Sequence, residues 1–330
     1  MKTIAVYANT CATGSYKELW PKAFYQGLQH HAPEWQSTYV NNKQLTDAEY
    51  AWCFAYQVKG DIKQSDNSYR RQIIDKYEPT GKIFFLDSDV LISCDGFELN
   101  KSTIQRMTLQ NLRWTRQPYS SIYANQGAKY FEKEFMQGAM NRWEEIKKHK
   151  NIDVQPYNGK GDYILISCNR GTEGYSAEKK NAAEYAIETI EEIRQYSQRP
   201  IIVRFHRALS GTQQTDFQVL SNYISGKQNI SIQSKANDNY PDSIPVIQNA
   251  YAVCTWSSSS ATPAICEGKP LYIKSKNCFF YDMNSGDIKD IENPNVKDKR
   301  DKWFANYAAT HYNLRDLNTG YYFDKVKNLI

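Results

Sequence analysis

Short apolar runs, punctuated by polar turns, set the rhythm of this chain. Thr3–Ala8, Tyr50–Tyr56 and Lys82–Leu91 each read as a buried β-strand. The helical stretch Ser68–Lys76 lies between the last two, and a further helix is expected from the polar turn Asn9–Ser15 through Leu28. This βαβ alternation predicts a parallel sheet. Lys101–Tyr130 departs from it and reads as polar, aromatic and loop-rich, and Phe131–Lys150 reads as a helix with a highly charged end. The alternation restarts near Gly159-Lys160-Gly161. Asp162–Ser167 is a strand, Asn169–Ser176 a turn, and Ala177–Tyr196 a helix with Ala183, Ile187, Ile190 and Ile193 at helical spacing. Pro200–Phe205, Asn229–Gln233 and Ala250–Trp256 are further strands, and Lys297–Ile330 is helical with interruptions. The expected class is α/β. Two successive domains, 1–155 and 156–330, would each carry a parallel sheet and leave a cleft between them, the last helix packing back on the first domain.

Length changes this picture little: 330 residues suit two domains better than one. The first apolar run is too short for a signal-peptide core, and no run reaches the 18 or so residues of a membrane span. Seven Cys without a C-x-x-C pair predict buried thiols, a reducing cytoplasmic setting and no structural zinc. A formal net charge of +5 permits a polyanionic partner without demanding one. The 25 Tyr make bases or sugars plausible ligands.

Candidate chemistry gathers at predicted strand ends, where open parallel sheets bind ligands. The stretch Ala250–Lys274 ends an apolar run in Ser257–Ser260, then gives a short helix, Glu267-Gly268 and a second apolar run. Hydroxyls and backbone N–H groups before a helix suit a phosphate, and Glu267 could accept from a ribose. Asn169, Arg170, Gly171, Thr172, Gly174 and Tyr175 form a Gly-containing turn after a strand, with Ser176 as a plausible helix N-cap. Arg204 and His206, with Arg207, would make a cationic pocket at another strand end. Asp87 and Asp89 form a D-x-D that could hold a divalent cation, supply a general base or simply cap a turn. Within the acid-free stretch Lys101–Tyr130, Arg113, Arg116, Tyr119, Tyr123 and Lys129 could meet phosphates and stack on bases. A solvated loop is the plain alternative.

The second half also resembles nucleotide-sugar glycosyltransferases of the GT-B architecture, in particular a bacteriophage group that glycosylates DNA bases. The resemblance rests on the ordered set Tyr163–Ile166, Asn169–Ser176, Ile193–His206, the serine segment with Glu267-Gly268-Lys269-Pro270, Ile291–Pro294 and Trp303. It implies two facing Rossmann-like domains, with Arg170, Thr172, Arg204, His206 and Ser257, Ser258 and Ser259 around the donor diphosphate and Glu267 on the ribose. Where Arg-Pro-His-Pro would be expected, this chain has Arg204-Phe205-His206-Arg207.

The expected activity is transfer of a sugar from a UDP-sugar to a hydroxymethylated pyrimidine in double-stranded DNA. Base flipping would expose the acceptor, and Asp89 or Asp87 would act as base if configuration inverts. No tightly bound cofactor, no essential metal and no membrane partner are expected, and the setting would be the cytoplasm of an infected cell. The alternatives are a GT-B enzyme acting on a cell-surface glycan or lipid-linked sugar, a non-catalytic nucleotide or nucleic-acid binding protein, and a metal-dependent enzyme built on Asp87 and Asp89.

Overall fold

The structure is a computed structural model. It describes residues 1–10, 19–54, 67–77, 82–88, 105–109, 133–150, 152–169, 180–206, 211–235, 239, 241–275, 280–296, 299–312 and 314–326. These fall into two compact units. One draws on Met1–Ile92, Phe97–Arg142 and Ala305–Ile330, the other on Trp143–Phe304.

The first unit is built on β1 (Lys2–Tyr7), β2 (Trp35–Val40), β3 (Tyr50–Phe54), β4 (Ile83–Ser88), β5 (Gln105–Leu109) and β11 (His311–Tyr312), in the order β2-β1-β3-β4-β5-β11. The first four are parallel, whereas β5 runs antiparallel to β4 and β11 antiparallel to β5. The sheet is therefore mixed, where the sequence predicts a parallel one. Alternation along β1 sends Ile4 and Val6 to one face and Ala5 and Tyr7 to the other. The first pair meets α1 (Leu19–His31) through Trp20, Phe24 and Leu28. On the same face lie α9 (Leu314–Asn318) and α10 (Tyr321–Val326), whose Leu317, Tyr322 and Phe323 complete that core. At Gly27 a Cβ would overlap the Phe323 ring, so glycine is what lets α10 sit against α1. The second pair meets α2 (Asn67–Tyr77) through Tyr69, Ile73, Ile74 and Tyr77. Helix α3 (Lys133–Lys150) supplies Arg142, whose guanidinium makes a two-pronged pair with Asp316 of α9 at 2.6 and 3.3 Å. Both residues are only 8% exposed.

The second unit holds five parallel strands, β6 (Tyr163–Ser167), β7 (Ile201–Arg204), β8 (Ile230–Gln233), β9 (Ala250–Thr255) and β10 (Leu271–Ile273), in the order β10-β9-β6-β7-β8. Counted from β6, this is the 3-2-1-4-5 order of a Rossmann sheet. Every residue of β9 is buried, as expected of a central strand covered on both faces. Helix α4 (Ala182–Arg194) packs Ala183, Ala186, Ile190 and Ile193 against Ile164 and Ile166, and α5 (Gly211–Ile224) adds Leu220. The short helices α6 (Ser243–Gln248) and α7 (Ala261–Cys266) lie against β9. Helix α8 (Arg300–Thr310) carries Phe304, whose ring stacks on Trp143 at 4.3 Å. Both units thus have the Rossmann-like α/β build expected of a GT-B chain.

Several residues behind the resemblance turn out to hold this unit together. Glu292 accepts from Ser197 and from Arg199 Nε (3.0 Å), and Arg199 lies over the Tyr251 ring at 3.8 Å. Cys53, Cys168, Cys254 and Cys266 are buried thiols. Among the described residues no helix is long and apolar enough to cross a membrane.

Candidate functional site

In a 3-2-1-4-5 sheet the connections leave in opposite directions on the two sides of the first strand. This opens a crevice beyond the C-terminal ends of strands one and four. Here those strands are β6 and β9, and their last residues, Ser167 and Thr255, are register partners. The chain crosses the crevice with side-chain hydrogen bonds. Asn169 Nδ2 donates to Ser257 Oγ at 2.7 Å, and Ser257 N donates back to Asn169 Oδ1 at 3.2 Å. Ser260 and Ser167 share a hydroxyl contact at 2.7 Å, and Thr255 Oγ1 donates to the Ser167 carbonyl at 2.9 Å. Ser258 N donates to Thr255 Oγ1 and Ser260 N to Ser258 Oγ. The serine run is therefore a shaped loop rather than a flexible one, with Ser259 exposed at its tip.

The structure thus brings Asn169, Ser257, Ser258 and Ser259 together. Ser260, the last of the serine run, joins them, as do Ser167 and Thr255, which the sequence did not single out. Ser260 occupies the N-cap position of α7, but its hydroxyl makes no capping bond. It turns to Ser167 instead, a choice that only the strand register reveals. His206 lies just past the end of β7, partly exposed. Arg170, Gly171, Thr172, Gly174 and Tyr175 lie outside the described residues, as do Asp89, Arg113, Arg116, Tyr119, Tyr123 and Lys129.

Arg204, expected in a cationic pocket with His206 and Arg207, is engaged within the protein, and Arg207 lies outside the described residues. Arg204 is 7% exposed, and its guanidinium donates to Gln233 Oε1 and to the Pro241 carbonyl, both at 2.8 Å. Those bonds tie β7 to the end of β8 and to the segment entering α6. Glu267 departs further. The six residues of α7 carry the chain from the C-terminal edge of the sheet to the N-terminal edge. There Glu267 Oε1 accepts from Gln248 Nε2 at 3.1 Å, remote from the serine loop. A carboxylate beside the serines is therefore not supplied by Glu267.

The start of α4 is also corrected. The helix begins at Ala182 behind an Asn181 N-cap, rather than near Ala177 behind Ser176. Asn181 and Glu184 form a reciprocal capping box, both bonds 2.9 Å. The carboxylate of Asp216 on α5 accepts the Ala182 amide. The amides of Asn181, Ala182 and Glu184 are thus met by Glu184, Asp216 and Asn181, two of them acidic, which makes this helix end unsuited to a phosphate.

Asp216 is 5% exposed, and its Oδ2 has no hydrogen-bond partner among the described residues. Burial raises its pKa, and Glu184 raises it further, against the lowering effect of the Ala182 amide. An acid whose folded pKa lies above its unfolded one favours the folded state when protonated. That contribution is present at low pH and is lost as pH rises through the folded pKa. Asp216→Asn should therefore melt about 2 °C above the parent at pH 7, the gap closing toward pH 4. Thermal melts at the two pH values check this.

In the first unit, Asp87 stands one residue before the end of β4, opposite Arg106 of β5 in the ladder. Gln105–Leu109, inside the stretch read as loop-rich, is that ladder strand. Among the described residues no three His, Cys, Asp or Glu side chains cluster as a metal site would require.

No family model matches the chain, and no curated protein matches it significantly. Among solved structures it is similar to the beta Kdo 2,7 transferase of Thermosulfurimonas dismutans KpsC, with 12% identity, all of both chains covered and a TM-score of 0.47. The beta Kdo 2,4 transferase of the same protein gives 10% identity over 92% of this chain and 89% of that one, with a TM-score of 0.44. UDP-GlcNAc 2-epimerase of Methanocaldococcus jannaschii, in complex with UDP-GlcNAc and UDP, gives 11% identity over 84% and 85%, with a TM-score of 0.33.

Proposed function

We propose that this chain is a nucleotide-sugar glycosyltransferase with a glycan as acceptor. The supporting observation is the set of hydroxyl and amide groups, Ser167, Asn169, Thr255, Ser257 and Ser260, joined across the switch between β6 and β9. A nucleotide diphosphate fits such a crevice. The acceptor hydroxyl attacks the anomeric carbon, the bond from that carbon to the diphosphate oxygen breaks, and the diphosphate departs with the electron pair. Donors on the serine loop stabilise the charge that grows there. Asp87 or Asp89 takes the acceptor proton if configuration inverts, and the donor phosphate takes it if configuration is retained. No step needs a bound metal.

A glycan is preferred to DNA because β5 shortens the loop that the DNA reading lays on a duplex; Arg113, Arg116, Tyr119, Tyr123 and Lys129 themselves lie outside the described residues. The DNA reading needs Lys101–Tyr130 as a basic aromatic loop on a duplex. Within it, Gln105–Leu109 is hydrogen-bonded between β4 and β11 and is unavailable as loop.

The test is incubation with a panel of UDP-sugars and either bacterial surface oligosaccharides or a hydroxymethylcytosine duplex, followed by mass spectrometry. A sugar-sized mass gain on an oligosaccharide is expected. A gain on the duplex alone would reverse the acceptor, and donor binding without turnover would leave a binding protein. Asn169→Ala removes both bonds that hold Ser257 and should weaken UDP-sugar binding about tenfold, the cost of roughly one hydrogen-bonded anchor. Titration calorimetry measures it, and unchanged affinity would move the donor elsewhere.

A further inference from the structure

The N-terminal edge of the second sheet carries a second feature, an open cleft of about 900 Å³. It lies where the chain enters the strands: Asp162 precedes β6, Asn249 precedes β9, and Lys269 stands two residues before β10. The segment leading into β6 forms one wall. It is strapped down by Gln155 N donating to the Cys266 carbonyl at 2.7 Å and Asn158 N to the Gly268 carbonyl at 2.9 Å.

Lys269 anchors the floor. It is 4% exposed, and its ammonium donates to Asn158 Oδ1 at 2.7 Å and to the Lys160 carbonyl at 3.0 Å. An ammonium has three N–H donors. The third has no acceptor within hydrogen-bond distance among the described residues, and Lys269 is one of the residues that line the cleft. Burial lowers the Lys269 pKa, and nearby Glu267 acts against that shift. A buried donor left over at the floor of an open cleft is a place for a ligand oxygen, because leaving it unmet is costly.

The rest of the lining indicates which oxygen. Lys160 and Lys269 are matched by Asp162 and Glu267, so the cleft is balanced in charge and a polyphosphate backbone gains little there. Planar amides dominate instead. Gln248 is held against Glu267 at 3.1 Å, and Asn249 follows it on the exposed rim. Amides and carboxylates arranged this way offer in-plane donors and acceptors to ligand hydroxyls, each of which both donates and accepts. Tyr157 adds an aromatic surface, one side of which is covered by the Arg300 guanidinium at 4.0 Å. The volume falls in the upper part of the roughly 300–1,000 Å³ range of small-molecule sites, enough for more than a single small ring.

We infer that this cleft is a second, non-catalytic site that binds a segment of a carbohydrate chain, holding the glycan acceptor at the opposite edge of the sheet from the donor loop. As a site for the acceptor it rests on the glycosyltransferase reading. As a carbohydrate site it is tested without turnover.

The probe is an array of immobilised bacterial capsular and O-antigen oligosaccharides, exposed to the full chain. The parent should be captured by at least one of them. Gln248→Ala with Asn249→Ala, both on the exposed rim, should lower that capture at least tenfold and leave UDP release from a UDP-sugar in water unchanged. Lys269→Met should lower capture likewise, with circular dichroism verifying its fold. Absence of capture by the parent, equal capture by the rim variant, or displacement of the glycan by a hydroxymethylcytosine duplex would each overturn the proposal. Capture that needs the rim amides in a protein with no turnover on any donor would remove the transferase reading and support the carbohydrate site.

Discussion

Asp316→Ala should destabilise the first unit by about 3–5 kcal/mol. The Arg142–Asp316 pair is buried and two-pronged, and Arg142 also lies over the Tyr321 ring at 4.8 Å. Removing the carboxylate leaves a guanidinium in a place where water cannot solvate it. The attraction between the partners does not by itself make the pair stabilising, since both were taken out of water to form it. A paired replacement, Arg142→Met with Asp316→Leu, should therefore recover most of the loss. Hydrogen exchange at β1, β3 and β4 reads this unit separately from the other. Unchanged protection in Asp316→Ala, or a paired variant no better than the single one, would contradict the account.

Gly268→Ala is expected to be nearly as damaging to the second unit. Its φ is +64°, a left-handed conformation that costs a side-chain-bearing residue about 1–2 kcal/mol. The added Cβ would also overlap the Pro156 carbonyl, sitting 2.7 Å from its carbon and 3.0 Å from Tyr157 Cα. These are backbone atoms and cannot rotate away. Overpacking of this kind adds about 1–3 kcal/mol, or lifts the segment 155–158 off its seat. In the second case the fold persists, but Asn158 loses its hold on Lys269 and glycan capture falls. Urea unfolding together with array capture separates the two outcomes, and a variant normal in both would show that the segment moves aside freely.

Burial made some elements legible in the sequence and left others hidden. β1, β3, β6 and β9 are covered on both faces, so their apolar runs predict strands to within a few residues. β2 reads Trp-Gln-Ser-Thr-Tyr-Val with only its two ends buried, because it is an edge strand, and its pattern gives no comparable signal. β5 and the two-residue β11 are polar and owe their strand form to pairing with each other and with β4. The crevice beyond β6 and β9 was half legible. Asn169 and the serines fell at strand ends that hydrophobicity marks, whereas Ser167 and Ser260 meet only because β6 and β9 are neighbours. Glu267 was misplaced for a related reason. Its distance along the chain from the serines is short, but a helix lies between them, and a helix returns the chain to the far edge of a sheet. Arg204 shows that residue type alone does not reveal whether a guanidinium faces a ligand or a backbone carbonyl.

The return of α9 and α10 to the first unit has a consequence for synthesis. The core around Phe24 and Leu28 is closed by Leu317, Tyr322 and Phe323, which leave the ribosome last among its members. Everything within Trp143–Phe304 is translated earlier and forms a compact unit by itself. At about 5–20 residues per second, the first unit waits on the order of 10–40 s between translation of Arg142 and of the helices that cover α1. During that interval the indole of Trp20 and the ring of Phe24 have no cover from the C-terminal helices. A nascent chain stalled before residue 314 would therefore be the form most open to a holdase chaperone.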